Sequence, residues 1–219
     1  MRLEKIIEGL IGVKNLANNS WPEIEQLLLQ NGFRILGVGS SAKVFEHPSK
    51  DYVYKIFDND KAYSSYISYC LNNRNNPHIP NIIKQPKEFK KFFKHKDQEN
   101  SFTVLRIEKL NDLQGDVRDF YNVRLQYNII MYLKFGANQI FRDHYDTTKA
   151  YRGINQYINA YPQFQFKEVF DTLIDIYKSI GFFADISPSN FMQRDDGTIV
   201  IIDPVAEQDL VKDTMFKHK

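Results

Sequence analysis

The stretch that decides the fold of this chain is FFADISPSNFMQRDDGTIVIIDPV, residues 182–205. It places Asp185 five residues before Asn190, and it places a second acid, Asp203, inside the short apolar run Ile-Ile-Asp-Pro. The residues FMQRDDGTIVIID predict a β-hairpin because Asp196-Gly197 suits a tight turn. A hairpin returns the chain to its start, so we expect Asp185, Asn190 and Asp203 to lie at one place in the fold.

These three polar side chains allow two interpretations. They are either a set that holds a metal and a phosphate, or a polar turn that leads into a buried strand. Under the second interpretation Asp185 caps a turn, Asn190 hydrogen-bonds the loop backbone and Asp203 ends a strand. Each explanation suffices for one residue, but none explains the order and spacing of all three.

Composition bounds the size and the surroundings of the protein. With 219 residues, 42% of them apolar, the chain can form one domain or two small lobes around a sizeable core. Its net charge of +2 gives no overall attraction to nucleic acid or to an anionic membrane. The single cysteine, Cys70, suits a reducing compartment. Residues 1–33 lack the core of a signal peptide and no run approaches the roughly 20 apolar residues of a membrane span, so we expect a cytoplasmic protein without a membrane partner.

A small-residue loop and a strand lysine precede the decisive stretch. Residues Gly37-Val38-Gly39-Ser40-Ser41 lie between two predicted strands, where glycines let the backbone bend closely over phosphates. Lys55 lies in the apolar strand pattern Tyr52–Phe57, where an ammonium group is costly unless it meets an anion. The alternative for Lys55 is an edge strand from which the side chain reaches solvent.

Hydrophobic periodicity predicts the remaining elements. We expect helices at residues 6–11, 20–32, 61–73, 117–136, 147–157 and 166–181, and strands within 33–57, 82–93 and 101–107. The chain then divides into an N-terminal helical extension, residues 1–32, a β-rich part, residues 33–110, and a mainly helical part, residues 111–219.

The order of these features resembles the protein kinase fold over about residues 33–207. Within the kinases, the chain is similar to the early serine/threonine protein kinases of T-seven-like bacteriophages. The motifs that carry this likeness are Gly37-Val38-Gly39, His47-Pro48, Cys70 with the later Ile79-Pro80-Asn81, Asp185 to Asn190 with Phe191-Met192, and Ile202-Asp203-Pro204-Val205. The last motif, Asp-Pro-Val where most kinases have Asp-Phe-Gly, is the most specific.

This resemblance implies a minimal two-lobed α+β kinase fold that binds ATP and Mg²⁺ in the cleft between its lobes. Asp185 would orient the acceptor hydroxyl and take its proton, while Asn190 and Asp203 would ligate Mg²⁺, whose hard charge favours oxygen ligands. Lys55 would bind the α- and β-phosphates and act in catalysis. The other implied ATP contacts are Gly37, Gly39, Ser40, Ser41, Val44, Glu108 and Leu110.

The resemblance also implies the partners of the protein. Members of that family phosphorylate host proteins, including transcription and RNA-processing machinery, early in infection. The implied substrates are therefore bacterial host proteins, and the implied location is the host bacterial cytoplasm.

Departures from the kinase pattern keep two other functions open. Phe183-Ala184 replaces the usual His-Arg before Asp185, and Ser187 stands where serine/threonine kinases carry a phosphate-binding lysine. No glutamate lies between residues 57 and 87 to pair with Lys55. One alternative is a pseudokinase that binds and inhibits a host protein such as RNA polymerase or a nuclease. The other is a small-molecule phosphotransferase, since Asp-x-x-Pro-x-Asn is also similar to the loop of aminoglycoside and choline kinases.

A lysine-rich bend runs from Lys84 to Lys96 and interleaves six lysines with three phenylalanines. This pattern favours a solvated hairpin with phenylalanines packed inward over a surface for nucleic acid or an acidic partner. If nucleic acid binds this protein at all, we expect it at this bend.

Overall fold

The structure, a computed structural model, describes residues 21–39, 42–57, 60–84, 93–94, 101–121, 159, 165–180, 183–185 and 187–206. These residues form a mixed α+β structure with antiparallel sheets and a few helices. The chain divides into two compact units, which we call unit 1 and unit 2. Unit 1 comprises residues 1–60 and 81–109, and unit 2 comprises residues 61–80 and 110–219.

Unit 1 is built on an antiparallel sheet. Its strands are β1 (Arg34–Val38), β2 (Ala42–Glu46), β3 (Tyr52–Phe57), β4 (Ile82–Lys84), β5 (Phe93–Lys94) and β6 (Ser101–Glu108). Their order across the sheet is β1-β2-β3-β6-β4, and β5 also pairs with β6. Strand β3 therefore lies in the interior of the sheet, and all six of its residues are buried.

A helix before the sheet is tied to one of its faces. Helix α1 (Trp21–Gln30) ends before Gly32, whose left-handed backbone (φ +84°) suits a residue that follows a helix. Glu25 of α1 forms an ion pair with Lys43 of β2. Lys43 is the strand neighbour of Val44, which lies opposite Lys55, so α1 is tied to the sheet face opposite Lys55.

Unit 2 carries the helices that follow. Its described residues form helices α2 (Lys61–Asn72), α3 (Gly115–Phe120) and α4 (Phe166–Ile180), and strands β7 (Asn111–Asp112), β8 (Phe183–Ala184), β9 (Phe191–Gln193), β10 (Ile199–Ile201) and β11 (Val205–Ala206). One sheet has the order β10-β9-β7, and β8 pairs with β11 in another. A 3-10 helix spans Pro188–Asn190.

The segment 61–80 packs with unit 2, whereas the sequence groups it with the β-rich part at residues 33–110. Its polar side chains supply the physical reason. The Tyr69 hydroxyl donates to Asp175 Oδ2 of α4 at 2.6 Å, and the Asn76 amide donates to the Thr172 hydroxyl of α4 at 3.1 Å. Contacts this distant in sequence leave no local pattern.

Several element predictions are confirmed. Helices α1, α2 and α4 match the predicted helices at 20–32, 61–73 and 166–181, and strands β1 to β3 form the predicted meander. The hairpin at Asp196-Gly197 is also confirmed, with Gly197 at φ +83°. The predicted helices at 6–11 and 147–157, much of that at 117–136, and most of the Lys84–Lys96 bend lie outside the described residues. None of the helices in the described ranges is both long and apolar enough to cross a membrane.

A buried carboxylate in unit 1 anchors the segment that follows β6. Glu46 is 2% exposed, and its carboxylate meets Arg34 of β1 and Lys109, whose Nζ lies 2.8 Å from Oε2. The contact with Lys109 comes first among the causes that lower the pKa of Glu46 below its usual value; Arg34 adds to it and burial opposes it. The ionised carboxylate therefore stabilises the fold.

We expect Glu46→Gln to lower the free energy of unfolding at neutral pH by about 1–3 kcal/mol, the range for hydrogen bonds to charged groups. A lowered folded-state pKa means that the stabilisation is full above the unfolded value, 4.5, and is lost as the pH falls through the folded value. Urea unfolding at neutral pH and near pH 3 measures both effects. A difference from wild type that stays constant between the two pH values would contradict this account.

Candidate functional site

Two short β-ladders flank Asp203 in unit 2. The first joins β8, which precedes the loop that begins at Asp185, to β11, which follows Asp203. Strands β8 and β11 pair with Ala184 opposite Val205. The N–H of Asp185 extends this ladder by donating to the carbonyl of Pro204 at 2.8 Å. The residue directly after Asp203 is thereby held against the residue that begins the loop.

The second ladder is the hairpin. Strands β9 and β10 pair with Phe191 opposite Ile201, and the N–H of Ile202 donates to the carbonyl of Asn190 at 2.8 Å. The residue directly before Asp203 is thus held against the residue that ends the loop. Asp203 lies between the two ladders, as the hairpin prediction requires.

The loop from Asp185 to Asn190 also closes on itself. The Asn190 side-chain nitrogen donates to the carbonyl of Asp185 at 2.9 Å, and the Asn190 N–H donates to the carbonyl of Ser187 at 2.9 Å. Asn190 therefore does bond the loop backbone, as the simpler interpretation holds. Because its nitrogen is directed into the loop, its side-chain oxygen is the end that can ligate a cation.

The carboxyl of Asp185 is electrostatically distinct. Although more than a third of the residue is exposed, burial of the rest raises the pKa of Asp185 above the usual aspartate value, and the Asn190 side chain partly opposes this shift. A carboxylate with a raised pKa is a stronger base. The structure brings Asp185, Asn190 and Asp203 together, while the chemical role of each stays a prediction.

In unit 1, a row of residues crosses the sheet on one face. Gly37 lies opposite Val44, Val44 lies opposite Lys55, and Lys55 lies opposite Leu105. Directly opposed residues of antiparallel strands point to the same face. The fold therefore gives one face to the loop glycine, to the valine expected over adenine and to the lysine expected on phosphate.

The position of Lys55 excludes the simpler explanation for it. Strand β3 lies between β2 and β6, and Lys55 is 8% exposed. The alternative of an edge-strand lysine that reaches solvent is therefore wrong. Burying an ammonium group costs several kcal/mol unless an anion compensates it, so this position is suited to a negatively charged partner.

Two residues that the sequence patterns did not single out share this face with Lys55. Val53 lies two residues before Lys55 and opposite Ile107, and both side chains are buried. Together with Leu105 they form an apolar surface beside the lysine. The available signal was the two-residue spacing of strand side chains from Lys55.

The loop glycines are not required by the conformation of the chain itself. Neither Gly37 nor Gly39 has a positive φ. A Cβ at Gly37 would meet nothing within 4 Å, and one at Gly39 would meet the carbonyl of Ala42 at an ordinary 3.6 Å. Space above these glycines is what a close phosphate would need. Ser40 and Ser41 lie outside the described residues.

The predicted adenine linker lies where the chain passes from unit 1 to unit 2. The N–H groups of Glu108 and Lys109 donate to the carbonyls of Asn81 and Asp51, and the Glu108 carboxylate accepts from the Asn81 N–H at 2.7 Å. These two N–H groups are therefore occupied. A contact with the adenine edge would come from backbone carbonyls or from the N–H of Leu110.

The oxygen donors beside the ladders are of the chemical type that magnesium prefers. Asn190 offers an amide oxygen and Asp203 a carboxylate, and Mg²⁺ in proteins takes few protein ligands and completes its shell with water and phosphate oxygens. Across the part of the chain that the structure describes, no group of three or more His, Cys, Asp or Glu residues is placed to hold a metal.

No protein-family model matches this chain, and no curated protein matches it.

The glycine geometry generates a prediction with a matched control. We expect Gly37→Ala to leave the free energy of unfolding unchanged or up to about 1 kcal/mol higher, since alanine fits this strand better than glycine. The same change should weaken ATP binding by steric contact. Gly197→Ala should do the reverse, lowering stability by about 1–2 kcal/mol because of its left-handed backbone, without affecting ATP. Urea unfolding and ATP titration measure both; Gly37→Ala with unchanged ATP affinity would contradict the phosphate role.

Proposed function

We propose that this protein is an ATP- and Mg²⁺-dependent phosphotransferase, and more specifically a phage-type serine/threonine protein kinase acting on bacterial host proteins. The observation that carries the proposal is the pair of ladders that holds Asp203 between Asp185 and Asn190. A polar turn needs none of these residue types in particular. A metal-nucleotide site needs an acid and an amide oxygen together, with a base beside them.

The role proposed for each residue follows from the chemistry of its side chain. Asp203 and Asn190 would hold Mg²⁺, which when bound neutralises charge on the phosphates. Lys55, buried on its sheet face, would contact nucleotide phosphates. Asp185 would align the acceptor hydroxyl and accept its proton, a role that its raised pKa supports. Catalysis would then consist mainly of positioning and charge stabilisation.

The narrower assignment to a phage-type protein kinase is supported by sequence motifs, chiefly Ile202-Asp203-Pro204-Val205. In this motif Pro204 has no N–H, and its carbonyl accepts from Asp185. A small-molecule kinase or a pseudokinase would use the same ladders, so the acceptor and the transfer step are what separate these functions.

The test compares three variants of unit 2. We expect Asp203→Ala to abolish the Mg²⁺-dependent rise in melting temperature that ATP produces, because it removes the carboxylate ligand. We expect Asp185→Asn to keep that rise and to reduce phosphate transfer to proteins of a bacterial lysate by about 10²–10⁴-fold, the usual worth of a general base. The control is Asp196→Asn, which removes a carboxylate from the same hairpin while asparagine still accepts the Thr198 N–H.

The outcomes separate the candidate functions. The protein kinase is supported if phosphate is transferred to protein, and if Asp185→Asn suppresses this transfer while Asp196→Asn preserves it. ATP binding without transfer to protein or small hydroxyl compounds favours a pseudokinase, and transfer to small hydroxyl compounds alone favours a small-molecule kinase. Full transfer activity in both Asp203→Ala and Asp185→Asn would overturn the proposal.

A further inference from the structure

The outer edge of strand β10 is completed by side chains and a loop instead of by another strand. On the inner edge, β10 pairs with β9. On the outer edge, the Ile199 carbonyl accepts from His78 Nδ1 at 2.8 Å, and the Ile201 N–H donates to the His78 carbonyl at 2.9 Å. The final acceptor of this edge, the carbonyl of Ile201, receives the hydroxyl of Tyr66. The last bond on this outer edge before Asp203 therefore comes from helix α2.

The burial and position of Tyr66 suit it to this contact. Its side chain is fully buried, at 0% exposure, and helix α2 packs against β11, the strand that follows Asp203. Burial raises the pKa of Tyr66 well above its usual value, and the negative charge of Asp203 is among the smaller causes. The hydroxyl donates to the Ile201 carbonyl, which can only accept. The residue that accepts this hydrogen bond, Ile201, lies two residues before Asp203.

We propose that Tyr66 is a positioning residue that sets the place of the Asp203 carboxylate for Mg²⁺ through its hydrogen bond to the Ile201 carbonyl. This inference rests on the proposed function and deepens it. The two ladders hold Asp203 from the loop side, while Tyr66 holds the same strand end from the helix side. Without the hydroxyl, the buried carbonyl of Ile201 loses its donor and the strand end is held by the ladders alone. The metal ligand is then held less tightly.

A neighbouring tyrosine provides the matched control. Tyr69 lies one turn further along α2, and its hydroxyl donates to Asp175 of α4 at 2.6 Å, a contact within unit 2 that does not reach β10. Tyr66→Phe and Tyr69→Phe each remove one tyrosine hydroxyl from the same helix. A merely structural role of Tyr66 predicts that the two variants behave alike.

The experiment measures the Mg²⁺ concentration that gives half of the ATP-induced rise in melting temperature. We expect Tyr66→Phe to raise that concentration by about tenfold, the lower range for loss of a residue that orients a metal ligand. Tyr69→Phe should lower the melting temperature without changing the Mg²⁺ requirement. In wild-type protein with ¹³C-labelled tyrosine, ring resonances of Tyr66 should shift when Mg²⁺ joins the ATP complex, and those of Tyr69 should not; this second measurement does not depend on a variant that folds.

The failures of the two proposals are distinguishable. The positioning role is overturned if Tyr66→Phe and Tyr69→Phe require the same Mg²⁺ concentration, or if the Tyr66 resonances do not shift with Mg²⁺. Either result leaves the proposed phosphotransferase function standing. Wild-type protein with no Mg²⁺-dependent response to ATP overturns the proposed function, and the positioning role with it.

Discussion

The position of Asp203 depends on backbone hydrogen bonds made by its two neighbours. Pro204 accepts from Asp185, Ile202 donates to Asn190, and each bond extends a short antiparallel ladder. Asp203 cannot shift along the chain without breaking one ladder or the other. This constraint is what turns two acids and an amide, separated by a hairpin, into one site. It also explains why a proline is tolerated beside the key acid, since the ladder uses its carbonyl and not an N–H.

Short ladders are weak by themselves, so packing in unit 2 must hold them in place. The ring of Tyr121 lies 6.2 Å from that of Phe166 on α4 and 5.0 Å from that of Phe191 on β9, which joins the hairpin to the helix. On the other edge, His78 and Tyr66 satisfy the backbone of β10. The strand that leads to Asp203 is thereby fixed on both edges, and a fixed carboxylate is what catalysis by positioning requires.

The sequence predicts the features that local rules govern, and it misses those that distant contacts decide. The hairpin follows from Asp196-Gly197 and from the apolar residues on either side, and its return to the loop predicts that Asp203 lies beside Asp185. The interior location of Lys55 depends on β6 pairing with β3 from far along the chain, so the strand pattern alone left an edge position open. Tyr66 gave no signal, because a tyrosine with apolar spacing on a helix is usually core packing, and its hydroxyl contact joins residues 135 apart. The two-residue strands β8 and β11 are too short for any periodicity to show.

The central claim, that the ladders assemble a metal-nucleotide site, is tested most directly by Mn²⁺ in place of Mg²⁺. Paramagnetic Mn²⁺ added with ATP broadens the amide resonances of nearby residues. The account predicts strong broadening at Asn190 and Asp203, weak broadening at Asp196 in the hairpin turn, and loss of both effects in Asp203→Ala. Broadening centred on the turn, or none at Asn190 and Asp203 at saturating Mn²⁺ and ATP, would contradict it.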